Sequence, residues 1–161
     1  MNHTYYAPAD IEVYIPGIGI VAREQSVVEG VSPFRQGKIV DFEGAVQVFR
    51  QCLEKAFGRS LIKPEVVVCH PLDYSLVDEK ACFEAMILAG AKGVYMYPGD
   101  DVEYFLAHIP EEIPMRKVKG LLVITKEEPL EYIRETAREA LDFAKKYGVS
   151  KEQFIEIIKE S

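Results

Sequence analysis

Three histidines, His3, His70 and His108, are the side chains best suited to proton transfer or metal binding, and their positions have no metal-ligand spacing. His70 precedes Pro71 at the end of Glu65-Val66-Val67-Val68-Cys69, a β-branched run that reads as a buried central strand. Open α/β sheets present binding residues at such strand ends, and Asp73 lies three residues on. A base or ligand role is one account of His70; a hydrogen-bonded strand-end histidine is the simpler one. Cys69 beside His70 has the composition of a nucleophile and base, but neighbours in a strand point to opposite faces, so the two side chains diverge. Asp100, Asp101, Glu103, Glu111 and Glu112 could offer oxygen to a hard cation; their spacing matches no calcium loop, and a solvated acidic face accounts for them. The candidate ligand-binding residues are Asp10, His70, Asp73, Asp78 and Tyr97, with no catalytic residue, no metal ligand and no cofactor expected.

Neither G-x-x-x-x-G-K-[ST] nor G-x-G-x-x-G occurs. Gly17-Ile18-Gly19 joins two short strands, and without a following helix it makes a hairpin turn rather than a phosphate cradle. An ordinary nucleotide-hydrolysing cycle is therefore not expected. The net charge of -7 opposes a broad nucleic-acid footprint, because the nearest basic cluster, Arg116-Lys117-Val118-Lys119, is short. Cys52, Cys69 and Cys82 form no C-x-x-C pair and have apolar neighbours, as reduced and buried cysteines of a cytoplasmic protein would. No signal peptide is read at the N-terminus, and no run approaches the 18 apolar residues of a spanning helix.

The elements that must position these residues follow from periodicity. Ile11, Val13 and Ile15 alternate with polar positions as a half-buried strand does, and Ile18 to Val21 returns after Pro16-Gly17. Ser26 to Val31 reads as a third strand. From Asp41 the period becomes helical through Phe42, Ala45, Val46, Phe49, Cys52, Leu53, Ala56 and Phe57, with Asp41 as cap and Gly58 as stop. Ser75 and Asp78 resemble a capping box for a helix to Ala89 whose inner positions are Val77, Ala81, Cys82, Ala85, Met86 and Leu88. With strands at 65–69 and 93–97 this makes a βαβ unit with parallel strands. A short helix through Val102, Phe105 and Leu106 and a strand from Gly120 to Ile124 follow. Thr125 and Glu128 then read as the capping pair of a helix with a buried stripe at Leu130, Ile133, Ala137, Ala140, Leu141 and Ala144. Ser150 and Gln153 read as the capping box of a last helix through Phe154, Ile157 and Ile158.

Three stretches in this order resemble the bacterial actin-like, rod-shape-determining (MreB-like) family, within the actin and Hsp70 ATPase fold. They are Val13-Tyr14-Ile15-Pro16-Gly17-Ile18-Gly19-Ile20-Val21 with Ser26-Val27-Val28, then Pro33 to Phe42, then Lys63-Pro64 through Val66-Val67-Val68, Pro71 and Ser75 to Ala81, closing on Ala89-Gly90-Ala91 and Val94-Tyr95. The resemblance implies an α/β, ribonuclease H-like or actin-like ATPase subdomain, a mixed sheet flanked by helices. It implies a single actin-like domain over 1–161, in which 1–97 match the first subdomain and 98–161 form a divergent strand and C-terminal helices.

The departures from the family pattern carry the functional expectation. The family's first Asp-Leu-Gly-Thr loop falls on Tyr5-Tyr6-Ala7-Pro8, and its second phosphate loop falls on Thr125-Lys126-Glu127-Glu128-Pro129. Asp78 occupies the place of the family's water-orienting glutamate, and Ser75 that of the threonine at the helix start. A second domain closing over a nucleotide is not expected. The chain is thus expected to be a truncated, degenerate relative acting as a non-catalytic interaction or scaffold module, with a protein partner or a homodimer. The alternative is a small-ligand or residual nucleotide site at the carboxyl ends of the parallel strands.

Overall fold

A computed structural model describes residues 10–25, 32–59, 61–126 and 129–161. The strand read at Ser26 to Val31 and the loop position at Tyr5 to Pro8 lie outside the described residues. Alternation does what it should at the start: Ile11 and Val13 are buried in β1 (Asp10–Ile15), which pairs antiparallel with β2 (Gly19–Gln25). Gly17 and Gly19 take positive φ at the turn between them.

A second, very short hairpin, β3 (Phe34–Arg35) and β4 (Lys38–Ile39), went unread in the sequence. Its two turn residues, Gln36 and Gly37, have φ of 52° and 79°, as a type I′ connection demands. Next comes α1 (Phe42–Phe57), capped by Asp41, which accepts from the Gly44 amide at 3.2 Å, and ended by Gly58. Ala45, Val46, Phe49, Cys52 and Leu53 turn inward; Phe42 stays at the surface.

The strand β5 (Glu65–His70), the helix α2 (Leu76–Ala89) and the strand β6 (Gly93–Pro98) form the βαβ unit, with β5 and β6 parallel. The Ser75 and Asp78 box is fully made: the Asp78 amide donates to Ser75 Oγ and the Ser75 amide donates to Asp78 Oδ2. Cys82, Ala85, Met86 and Ala89 are the buried residues of α2. Val77 and Leu88, expected inside, are exposed. Apolar residues occur on every side of this helix, with Asp78, Glu79, Lys80 and Glu84 among them, so spacing could not say which side faces in.

After α3 (Val102–Ala107) the chain enters β7 (Val118–Thr125), which lies in the middle of the sheet. The strand order is β2-β1-β7-β5-β6, with β7 antiparallel to β1 and parallel to β5. Thr125 belongs to this strand, so it does not cap the next helix, which begins at Pro129. One sheet face, bearing Ile11, Val13, Val66, Val68, Leu122 and Ile124, packs with α1 and α2. The opposite face, bearing Val67, Cys69, Leu121 and Val123, packs with Phe105 and Ile113.

Two compact units divide the chain, Met1–Glu127 and Glu128–Ser161. The second holds α4 (Pro129–Lys146) and α5 (Lys151–Lys159), the latter opened by the Ser150 and Gln153 capping box. Among the positions expected to form buried stripes here, Ile133, Ala137, Ala140, Ile157 and Ile158 are exposed. Two helices of this length lack the mutual surface to bury every apolar side chain they carry.

Candidate functional site

The carboxyl ends of β5 and β7, the turn of β3 and β4, and the first turn of α2 meet at one end of the sheet. His70 closes β5 with 1% of its surface exposed. Its Nδ1–H donates to the Pro71 carbonyl at 2.8 Å; a carbonyl only accepts, which places a proton on Nδ1. Its Nε2 lies 3.1 Å from Glu79 Oε1, close enough for an ion pair, yet without hydrogen-bond alignment, and has no other partner. The imidazole stacks on Tyr74 with ring centroids 4.4 Å apart and planes 12° from parallel. Tyr74 in turn donates its hydroxyl to the Gly37 carbonyl. Burial, with the nearby Cys82, Asp78 and Asp73, raises the Tyr74 phenol well above its ordinary range, so it acts as a neutral donor.

Charged groups ring this cluster. Lys38 Nζ stands 3.5 Å from Asp78 and 3.9 Å from Asp73, and Lys126 Nζ stands 3.8 Å from Asp73. Burial opposes ionisation at Asp78, but hydrogen bonds from the Ser75 amide and hydroxyl, together with Lys38, outweigh it and hold the carboxyl below its usual value. The ammonium groups of Lys38 and Lys126 thus face the carboxylates of Asp73 and Asp78, and Glu79 adds a third acid beside His70, a balance that does not favour a polyphosphate. Space is also short there. A Cβ on Gly37 would meet Pro71 Cγ at 2.9 Å and Lys126 Cβ at 3.3 Å, so the turn is pressed against both neighbouring loops.

Of the five candidate residues, His70, Asp73 and Asp78 are brought together. Asp10 opens β1 opposite Thr125 of β7, at the same end of the sheet and two strand positions from β5, about 10 Å by the usual strand spacing. Tyr97 is in register with Cys69 and lies on the opposite face, edge-on to Phe105 at 4.7 Å. Cys69 faces that side too, and burial pushes its thiol up to about 12. Cys52 and Cys82 are likewise free, buried and pushed up to about 12 by burial, so none of the three is a ready thiolate. Among the described residues no group of histidine, cysteine and carboxylate side chains could hold a metal ion. Asp101 spends its carboxylate capping α3 through the Tyr104 amide.

Tyr74 and Glu79 were not singled out in the sequence, and Gly37, Lys38 and Lys126 stood there only within stretches compared with the family. Gln36-Gly37 is not one of the dipeptides that mark a two-residue hairpin, and its flanking strands are two residues each. Nothing local announces that Lys126 reaches Asp73, 53 residues earlier.

The fold defines a class, and comparison with known proteins names it. Residues 18–126 match the family described as MreB/Mbl protein. The chain belongs to that family, and its mixed sheet flanked by helices is of the actin-like ATPase type. It is 30% identical over 78 residues to the cell shape-determining protein Mbl of Bacillus subtilis (strain 168), an overlap of 48% of this chain and 23% of that protein. It is also similar to the crystal structure of MreB 5 of Spiroplasma citri bound to AMPPNP, with 19% identity, a TM-score of 0.47, and coverage of 68% of this chain and 41% of the other. The chain matches less than half the length of either protein.

Proposed function

We propose that this chain is a non-catalytic interaction module on an MreB-type scaffold, a relative that has lost its phosphate loops, and that it pairs with a second copy of itself through α2. The observation that carries this reading is the outer side of that helix. Leu76 is 84% exposed, Val77 76% and Leu88 60%, and Phe83 joins them beside Phe42 of α1. Phe42, Phe83, Glu84, Ile87 and Leu88 also line a concavity of about 350 Å³. Lys80 and Glu84 are the exposed charges among these apolar side chains. Large apolar side chains clustered on an exposed helix face mark a surface that gains stability when covered. A twofold pairing of identical patches is the commonest way to cover one.

The strand-end cluster supports the non-catalytic part of the reading. Its carboxylates and ammonium groups neutralise one another, and Asp78 is committed to the α2 cap rather than to an incoming water. Phosphoryl transfer needs the reacting group held between converging donors, and the sequence has neither glycine-rich loop to provide them.

Sedimentation velocity over a concentration series tests the pairing, with Leu76→Asp combined with Leu88→Asp as the disrupted form. A dimer that persists at high salt and is lost in the double variant is expected; a strictly monomeric wild type would end the proposal. Calorimetry with ATP, ADP and Mg²⁺ tests the rest. No heat of binding is expected, whereas micromolar affinity would establish the alternative, a residual nucleotide site at the ends of β5 and β7.

A further inference from the structure

We propose that the groove between α4 and α5 takes the acidic α3 segment, residues 100–112, of another copy of this chain, in a head-to-tail contact separate from the α2 pairing. The groove has a volume of about 380 Å³ and a floor of Leu141, Phe154, Ile155 and Ile158. Its three charged lining residues are Arg134, Arg138 and Lys151. All are cations, although residues 128–161 carry eight acidic and six basic side chains. The sorting of charge onto this one groove specifies its occupant: an apolar knob flanked by carboxylates.

Residues 100–112 have that description. They include five acidic side chains, Asp100, Asp101, Glu103, Glu111 and Glu112, all exposed, and no lysine or arginine. Between the acids stand Tyr104, 56% exposed and stacked on His108 at 4.3 Å, and the exposed Ile109. Phe105 is buried beneath them and Asp101 caps the helix, so the knob is presented on a fixed support. A preformed surface loses little conformational entropy on binding. Because groove and knob are different surfaces, each copy gives one and receives one, which builds a ring or an open chain.

The proposal rests on the chain being an interaction module, and salt separates the two contacts. Charge-paired contacts weaken as ionic strength rises, while apolar ones do not. Two full-length variants test it: Arg138→Glu with Lys151→Glu in the groove, and Glu103→Lys with Glu111→Lys on the segment. Circular dichroism verifies that each is folded. In sedimentation velocity at low salt, each variant alone is expected to lose the salt-sensitive association, its dissociation constant rising at least about tenfold. An equimolar mixture of the two regains it, because the reversed charges are again complementary. Salt-sensitive association that survives in both variants, or a mixture that regains nothing, overturns the assignment. If the α2 double variant abolishes all association while the charge reversals change nothing, this contact fails and the α2 pairing stands; the converse result removes the pairing and leaves this contact.

Discussion

Asp78 does two things at once: it completes the α2 capping box with Ser75 and it stands 3.5 Å from the Lys38 ammonium. Asp78→Ala removes both and should lower the unfolding free energy by about 1 kcal/mol, read from urea denaturation at neutral pH. The pH dependence has a definite sign. The folded carboxyl titrates below its unfolded value of about 3.9, so its contribution is complete above that pH and is lost as pH falls through the folded value. The gap between wild type and variant should therefore close in acid, and a gap unchanged at about pH 2.5 would refute the assignment. Gly37 supplies a second test at this scale. It and Gly17 both have positive φ, 79° and 85°, but only Gly37 has neighbours where a Cβ would stand. Gly17→Ala should cost about 1 kcal/mol from backbone strain alone. Gly37→Ala should cost about 1–3 kcal/mol more as Pro71 and Lys126 are pushed aside; equal losses would mean that the turn is not seated on the two loops. The cap was legible because both of its members lie within four residues. The contact of Gly37 was not, because Pro71 and Lys126 come from distant parts of the chain.

Elements differ in how plainly local sequence announced them. Strands β1, β5 and β6 and helices α1, α3 and α5 stand where alternation and caps put them, within a residue or two. The β3 and β4 hairpin escaped because two-residue strands contain too little pattern to count. For α2 the element was legible and its inner face was not, since a helix with apolar residues all round offers no stripe to read. Central placement of β7 gives the sharpest prediction here. Leu122 is fully buried between α-helical layer and sheet, whereas Leu76 projects from α2. Leu122→Ala should cost about 2–5 kcal/mol, and Leu76→Ala should stay within about 0.5 kcal/mol in dilute solution. Similar losses at the two positions would contradict the burial on which the α2 proposal depends. Paired on both sides, the amides of β7 should also be among the slowest to exchange with solvent.

At the level of the whole molecule, the two proposed contacts use unlike surfaces. One is the outer side of α2 with its exposed Leu76, Val77 and Leu88, and the other is the cation-lined groove of the last two helices. If both contacts form, they should respond oppositely to salt, so a concentration series at low and high ionic strength should show two separable associations rather than one. Composition and spacing in the sequence were enough to establish an α/β chain without glycine-rich phosphate loops and with three buried thiols, because these depend on residue type and short-range period. They also placed His70 and Asp73 near one strand end, with Cys69 and Tyr97, and Asp78 at the start of α2. Only tertiary structure decided that β7, the last of the described strands, occupies the centre of the sheet, that Lys126 thereby reaches Asp73, and that Tyr97 lies on the other face. Strand order and register arise from pairings between residues tens of positions apart, and no local pattern encodes which strand will fill the middle.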